Sequence, residues 1–533
     1  MCSDPSGNSC PAKGLEEDCC EGQSKSGSAC PIDRRGFLAL GGLGAAALAV
    51  DTAFSPASRS LAAALPNAST ALPAGRPLRV KPVLLYSIAQ RQEKTSWRPY
   101  GGLKSPADVD QEAKRIDAEL KALASRAEFP IDVAPVALVG SDAEAAAAAK
   151  AEADALLLFA SGGPVEWLDR LTVSKKPCVM FVRHRSGPVY LWYEIVHWRY
   201  LRRNEDNFKP AALGIEDVVV DDYGDMLWRL RALYGVKNAK GTVCVALGGL
   251  QSYSGPGTKY GPARAKEVWG FDIKPVPDAE VAKRLEKARS DPAVLQEAER
   301  LAARLLAEPN VTLQTERRHV VSTFVALHVI RGIMRELGAT NLGVSNCMGS
   351  LIQLLDTPPC LATSILNDEG LTAFCHSDYT HTPPGVLMRW ISGKPSFVCN
   401  SHFPHHGLIS FAHCAAPRKM NGKEFEPVKI MTHFESDYGA ATKVEYTKGQ
   451  TVTCIIPNLV CTAWQGFRGK VVDSPSNDSC RSQVDVAIDG DWQKLLTGMQ
   501  GFHTIVTYGD YLREVGYALK KVGMGWESVC EKT

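Results

Sequence analysis

The chain has almost no net charge: 60 Lys+Arg against 58 Asp+Glu leave +2 over 533 residues. Such a surface lacks the positive field that would hold a phosphate backbone or an anionic membrane, which excludes a general nucleic-acid binder. Long apolar runs are also missing. The Gly/Ala/Leu stretch from Ala39 to Val50 is too short to cross roughly 30 Å of hydrocarbon as a helix, so no stable membrane span is expected. The Gly-rich loop after Thr242–Leu247, beginning Gly248-Gly249, has neither the GxGxxG spacing nor a Walker lysine. It reads as a strand-to-helix turn lining a crevice in preference to a phosphate cradle. No internal repeat and no long charged run is found. With 45% hydrophobic and 22% charged residues the chain reads as globular, and its length exceeds what one core usually supports. The expected partner is a small molecule.

The 16 cysteines fall into two groups: Cys2, Cys10, Cys19, Cys20 and Cys30 crowd the start, and eleven scatter from Cys178 to Cys530. The first group has no zinc-ligand spacing and sits among Gly, Ser and Asp, which predicts a disordered, removable segment. The second is no disulfide framework, because a body with ample core does not need one, and cysteines such as Cys244 lie in apolar runs. Buried free thiols are expected. Asp33-Arg34-Arg35-Gly36-Phe37-Leu38, the weakly apolar run behind it and Ser60-Leu61-Ala62-Ala63-Ala64 resemble a twin-arginine export signal. That resemblance implies an exported protein, periplasmic or extracellular, folded before it meets the twin-arginine export machinery.

From Pro77 short apolar runs alternate with Ala/Leu/Glu-rich helical periods, the rhythm of a parallel α/β architecture. Strands are expected at 81–88, 131–139, 155–160, 177–182 and 242–247. Helices are expected at 106–126, opened by Ser105, and at 141–153, 261–269, 279–306 and 323–337. After Gly338 helical periodicity fades while Gly, His, Cys and aromatic residues become frequent. The fold class is therefore α/β and multidomain: a leader over 1–64, two doubly wound parallel α/β units over 77–240 and 241–344, and a more β-rich C-terminal domain over 345–533.

Eight of the twelve histidines lie between His376 and His503. Neutral His is the commonest protein metal ligand and carries protons near neutral pH, so the cluster points to a site. Cys375-His376-Ser377-Asp378 ends one expected strand and Val398-Cys399-Asn400 another, with a helix from Pro384 to Ile391 between them. Polar groups at the carboxyl ends of neighbouring strands converge on one crevice.

The run Cys375 to Asp378 with Leu387-Met388, Ile391-Ser392-Gly393, Phe397 and Asn400 is similar to the L-fucose isomerase pattern Glu-x-Asp, Met-Leu, Leu-Thr-Gly, Phe, Ala-Asp. The likeness extends to the fucose-isomerase-like proteins of the L-fucose and L-arabinose isomerase family. It is carried by Cys360-Leu361-Ala362-Thr363, Leu366-Asn367-Asp368-Glu369-Gly370, Ala412-His413-Cys414-Ala415-Ala416-Pro417, His433-Phe434-Glu435-Ser436, Cys480-Arg481-Ser482-Gln483 and Gly501-Phe502-His503-Thr504. The resemblance implies a metal-dependent aldose–ketose isomerase fold and activity, with Mn²⁺ polarising sugar oxygens while a base moves a proton beside the carbonyl. It further implies a homo-oligomer.

Carried over by position, the metal ligands fall on His376, Asn400 and His503, two of which have lost the expected carboxylate. A site of this kind also suits Zn²⁺, Fe²⁺ or Cu²⁺. Glu435, Asp378 and His413 are the acid/base candidates. Asp378 also suits a helix N-cap, and His376 a satisfied core histidine. His433 and Glu435, alternating about Phe434, would share one strand face as a coupled acid and base or as a structural ion pair. His402, His405 and His406 read as solvated loop residues. The expected function is an exported carbohydrate-active enzyme on a sugar or polyol. The competing readings are a lyase, epimerase or redox-metal enzyme on the same scaffold, and a non-catalytic periplasmic sugar-binding protein.

Overall fold

Ser105 opens the first helix among the described residues of the computed structural model, Pro106–Arg126, where its side chain accepts a hydrogen bond from Asp108 N and Pro106 occupies the first turn. The structure describes residues 75–98, 100–190, 201 and 213–530, all within one compact unit. The expected leader, with Arg34-Arg35 and the five early cysteines, lies outside the described residues.

A first parallel sheet runs in the order Ile131–Val133, Leu78–Leu85, Ala155–Ala160, Cys178–Val182, Val218–Val220, with Ala137–Val139 also on Leu78–Leu85. The expected strand over 131–139 is thus two short ones. Both pair with the same neighbour, Leu78 opposite Ile131 and Val83 opposite Ala137, and Pro135 between them has no N–H for the ladder. The expected helix over 279–306 is likewise two, Asp278–Ser290 and Pro292–Leu306. Pro292 cannot continue the first, and the Asp291 side chain accepts from Ala293 N to start the second. The helix expected from Gly261 begins earlier, at Gly255, because Ser254 caps it through Gly257 N.

A second parallel sheet has the order Thr372–Cys375, Asn341–Val344, Val243–Leu247, Asp272–Val276. Val344 stands opposite both Cys375 and Leu247, so three strands end level and release Gly248, Ser345 and His376 at one edge. The sheet reaches Cys375 and so draws on residues beyond 344.

The β-rich part is a closed antiparallel barrel. Its circuit is Thr451–Pro457, His503–Tyr508, Phe397–Ser401, Leu408–His413, Ser482–Asp489 and Ala463–Asp473, which returns to Thr451–Pro457 through Thr451 opposite Lys470. Phe397, Cys399, Ile409, Phe411, Phe467 and Val486 form one apolar cluster. Val398, Ile455 and Ile505, on the alternate parity, pack instead with Val386 and Leu387 of the helix Thr382–Ser392. Asn400 shares the parity of Val398, and His503 that of Ile505. The barrel therefore turns both toward the α/β part. No helix among the described residues is long and apolar enough to cross a membrane.

Candidate metal centre

Two surfaces supply the site. The level edge of the second sheet contributes His376, Ser377 and Asp378, and the turn into the helix Thr382–Ser392 contributes His381. The barrel contributes Asn400 and His503, directly opposite each other on adjacent antiparallel strands, and His413 at the end of the next strand. The ring centroids of His376 and His413 are 5.6 Å apart, those of His376 and His503 5.6 Å, and those of His381 and His503 4.9 Å. His376, Asp378, His381, His413 and His503 are all buried. Tyr253, from the Gly-rich loop, sets its exposed ring 4.4 Å from His376 and 6.0 Å from His503, and exposed Phe502 lies 4.3 Å from His503.

Gly343 permits this assembly. A Cβ there would stand 2.7 Å from Ser377 Cα, so only glycine lets the central strand lie against the His376–Asp378 turn. Gly343→Ala is expected to cost about 1–3 kcal/mol by overpacking and to weaken metal binding by moving Asp378. Denaturant titration and a metal-binding isotherm check this, and unchanged values for both would show that the turn has room to spare.

Burial empties the imidazoles of their protons. It holds His376, His413 and His503 below the ordinary histidine range and pushes His381 down to about 3, with the neighbouring rings adding to the effect at each except His413, where His433 does so. Neutral imidazole is the ligand form. Oδ1 of Asn400 and Nδ1 of His376 are buried without a hydrogen-bond partner, and neither His381 nitrogen makes a well-formed bond, although the His376 carbonyl lies near its ring. Buried polar atoms left open are costly unless something binds them.

The donor atoms of Asp378, His381 and His503 lie within 4.8 Å of one another, a set able to hold a divalent ion. Asp378 is held by Ser252 Oγ donating to Oδ2 at 2.7 Å and Thr380 N donating to Oδ1 at 2.9 Å. Its carbonyl accepts from Thr382 N and Oγ1. It is not the helix cap, a position that falls to His381 without a side-chain bond.

His381 had no signal in the sequence beyond its place among clustered histidines. His376 is brought to the centre, yet its ring nitrogen groups with the thiols of Cys347 and Cys375, and not with Asp378, His381 and His503. His413 Nδ1 accepts from Cys414 N at 3.0 Å, which leaves the proton of the neutral ring on Nε2. That makes His413 a hydrogen-bond donor more than a ligand. Glu435 and His433 do not share a strand face: the strand Val428–Met431 ends before them and the chain turns, with His433 buried and Glu435 exposed. His433 N donates to the Tyr438 carbonyl across that turn at 3.0 Å, a closure that strand alternation cannot anticipate. His402, His405 and His406 are exposed.

The eleven cysteines from Cys178 to Cys530 are free thiols, nine of them buried. Comparison with protein-family models and with curated proteins returns no match to this chain.

Proposed function

We propose that the protein is an exported, metal-dependent carbohydrate-active enzyme of the fucose/arabinose isomerase-like kind, moving a proton beside a sugar carbonyl at the Asp378–His381–His503 centre. The observation that carries the reading is convergence. His376 and His503, picked out by resemblance and separated by more than a hundred residues, stand with ring centroids 5.6 Å apart, and Asn400 lies opposite His503, beside a metal-competent donor set. One carboxylate and two neutral imidazoles favour Zn²⁺ or Fe²⁺ over Mn²⁺.

A divalent ion there would supply Lewis acidity to hydroxyl and carbonyl oxygens. The remaining work falls to the chain. His413 offers Nε2–H to a substrate oxygen, and Tyr253 and Phe502 present exposed rings at the crevice against which the apolar face of a sugar can lie. With Asp378 committed to the ion, Glu435, on its exposed turn, is the remaining carboxylate candidate for taking a proton from carbon.

The carboxylates expected at the first two ligand positions are His376 and Asn400, so aldose–ketose isomerisation of L-fucose or L-arabinose is expected to be slow. His376→Glu with Asn400→Asp should raise it, read as ketose formation by coupled assay on protein of measured metal content. Ordinary enzymatic turnover of either sugar by the unmodified protein, roughly 1–10³ s⁻¹, would overturn the argument from lost carboxylates.

A second reading has its own support. Two imidazoles and one carboxylate with open positions are also the donor set of non-haem Fe²⁺ oxygenases. Sugar-dependent oxygen consumption by the Fe²⁺-loaded protein would favour it over proton transfer.

A further inference from the structure

Beside the Asp378–His381–His503 centre stands a second group of different chemistry. Cys347 follows the second-sheet strand Asn341–Val344, and Cys375 ends the neighbouring strand Thr372–Cys375. Their sulfurs are 3.7 Å apart, and a ring nitrogen of His376 completes a set lying within 4.8 Å of one another. We propose that Cys347, Cys375 and His376 form a second, thiolate-bearing site for Zn²⁺, with a fourth position open.

The sulfur separation is the first argument. Two Zn–S bonds of about 2.3 Å at a tetrahedral angle hold their sulfurs about 3.8 Å apart, whereas a disulfide needs about 2.05 Å. The observed spacing matches the former. Backbone geometry is the second. His376 is held at φ +78°, which a side chain other than glycine rarely adopts, and Asn346 at φ +50° leads into the π-helical turn Cys347–Leu351. Strain and π-turns of this kind persist where the surrounding structure enforces them, commonly at ligand sites.

His376 also leaves an atom open: the residue is 7% exposed and its Nδ1 meets no hydrogen-bond partner. Thiolates and imidazole select a soft or borderline ion. Binding releases one proton from each thiol to solvent, and two thiolates with one neutral imidazole cancel the charge of a dication, which a buried pocket requires. A monovalent ion would leave net negative charge there. The site shares no ligand with Asp378, His381 and His503 and does not depend on the sugar reading.

The test uses Co²⁺ as the probe in place of Zn²⁺ in the metal-stripped protein. The wild type and Asp378→Asn should both show thiolate-to-cobalt charge-transfer absorption in the near ultraviolet. Cys347→Ser and Cys375→Ser should each lose that band together with roughly one equivalent of metal. No band in the wild type, or a band that survives both serine substitutions, overturns the proposal. Should the serine variants fail to fold, zinc-edge X-ray absorption of the wild type decides. A sulfur shell at about 2.3 Å is expected, and a shell of nitrogen and oxygen alone, or a Cys347–Cys375 disulfide found by mass spectrometry, overturns the site.

Discussion

Asp378→Asn is expected to lower divalent-metal affinity at the Asp378–His381–His503 centre by about 100-fold or more, with the fold intact. Loss of groups that merely orient a ligand typically costs 10–100-fold, and Asp378 supplies the only carboxylate in the set. The amide keeps the size of the carboxylate and can still accept from Thr380 N, so the turn into the helix Thr382–Ser392 survives. What disappears is the negative charge that offsets the ion among neutral imidazoles. His405→Ala, on an exposed loop, is the matched control and should leave binding unchanged. Elemental analysis after dialysis against a weak chelator, read together with an isotherm, makes the comparison. Equal occupancy in the two variants would remove Asp378 from the site.

The second large effect is on stability. Asp368→Ala is expected to cost about 3–5 kcal/mol, the usual result of stripping one partner from a buried ion pair. Asp368 and Arg418 side chains are 4% and 5% exposed, with Arg418 Nε 3.1 Å from Asp368 Oδ2. Arg418 N and Lys419 N donate to Oδ1 at 2.8 and 2.9 Å. Truncation strips a carboxylate from a buried guanidinium that then keeps Glu308 and the Phe425 ring, and it removes the side-chain acceptor of the Arg418 amide. Asp368→Leu combined with Arg418→Met should recover much of the loss, because it removes the desolvated charges together. Urea titrations of the single and double variants measure this. A cost below about 1 kcal/mol for Asp368→Ala would mean that the bonds are replaced by water.

That pair also explains a motif. Among the described residues Leu366 to Gly370 makes no hydrogen bond or ion pair with the candidate ligands, but it builds the frame on which they stand. Asn367 accepts from Ala373 N and donates to the Ala373 carbonyl, which fixes the strand that delivers Cys375 and His376. Asp368 pins the segment that follows His413 and Cys414, and Glu369 pairs with Arg331. A motif resemblance cannot separate such supports from ligands, since both are polar residues in fixed spacing.

The sequence by itself determined what short-range chemistry controls. Ser105 with Pro106 opens the helix Pro106–Arg126 at the expected residue, the apolar runs at 155–160 and 178–182 are strands, and the broken periodicity after Gly338 leads through several helices into the barrel that starts at Phe397. Caps and two-residue or 3.6-residue periods act over a few residues and can be read without knowing the neighbours. Clustering of histidines likewise pointed to the region where the candidate donor set lies.

Only the tertiary structure decided which of those histidines meet, because that depends on strand register and barrel closure between distant segments. Asn400 opposite His503, Val344 level with both Cys375 and Leu247, and Thr451 opposite Lys470 are long-range pairings that no local period encodes. They bring His381 into the donor set with Asp378 and His503, turn His376 toward Cys347 and Cys375, and leave Glu435 on an exposed turn. A chemical group becomes a ligand through the geometry of its neighbours, and here those neighbours come from three segments of chain folded against one sheet edge.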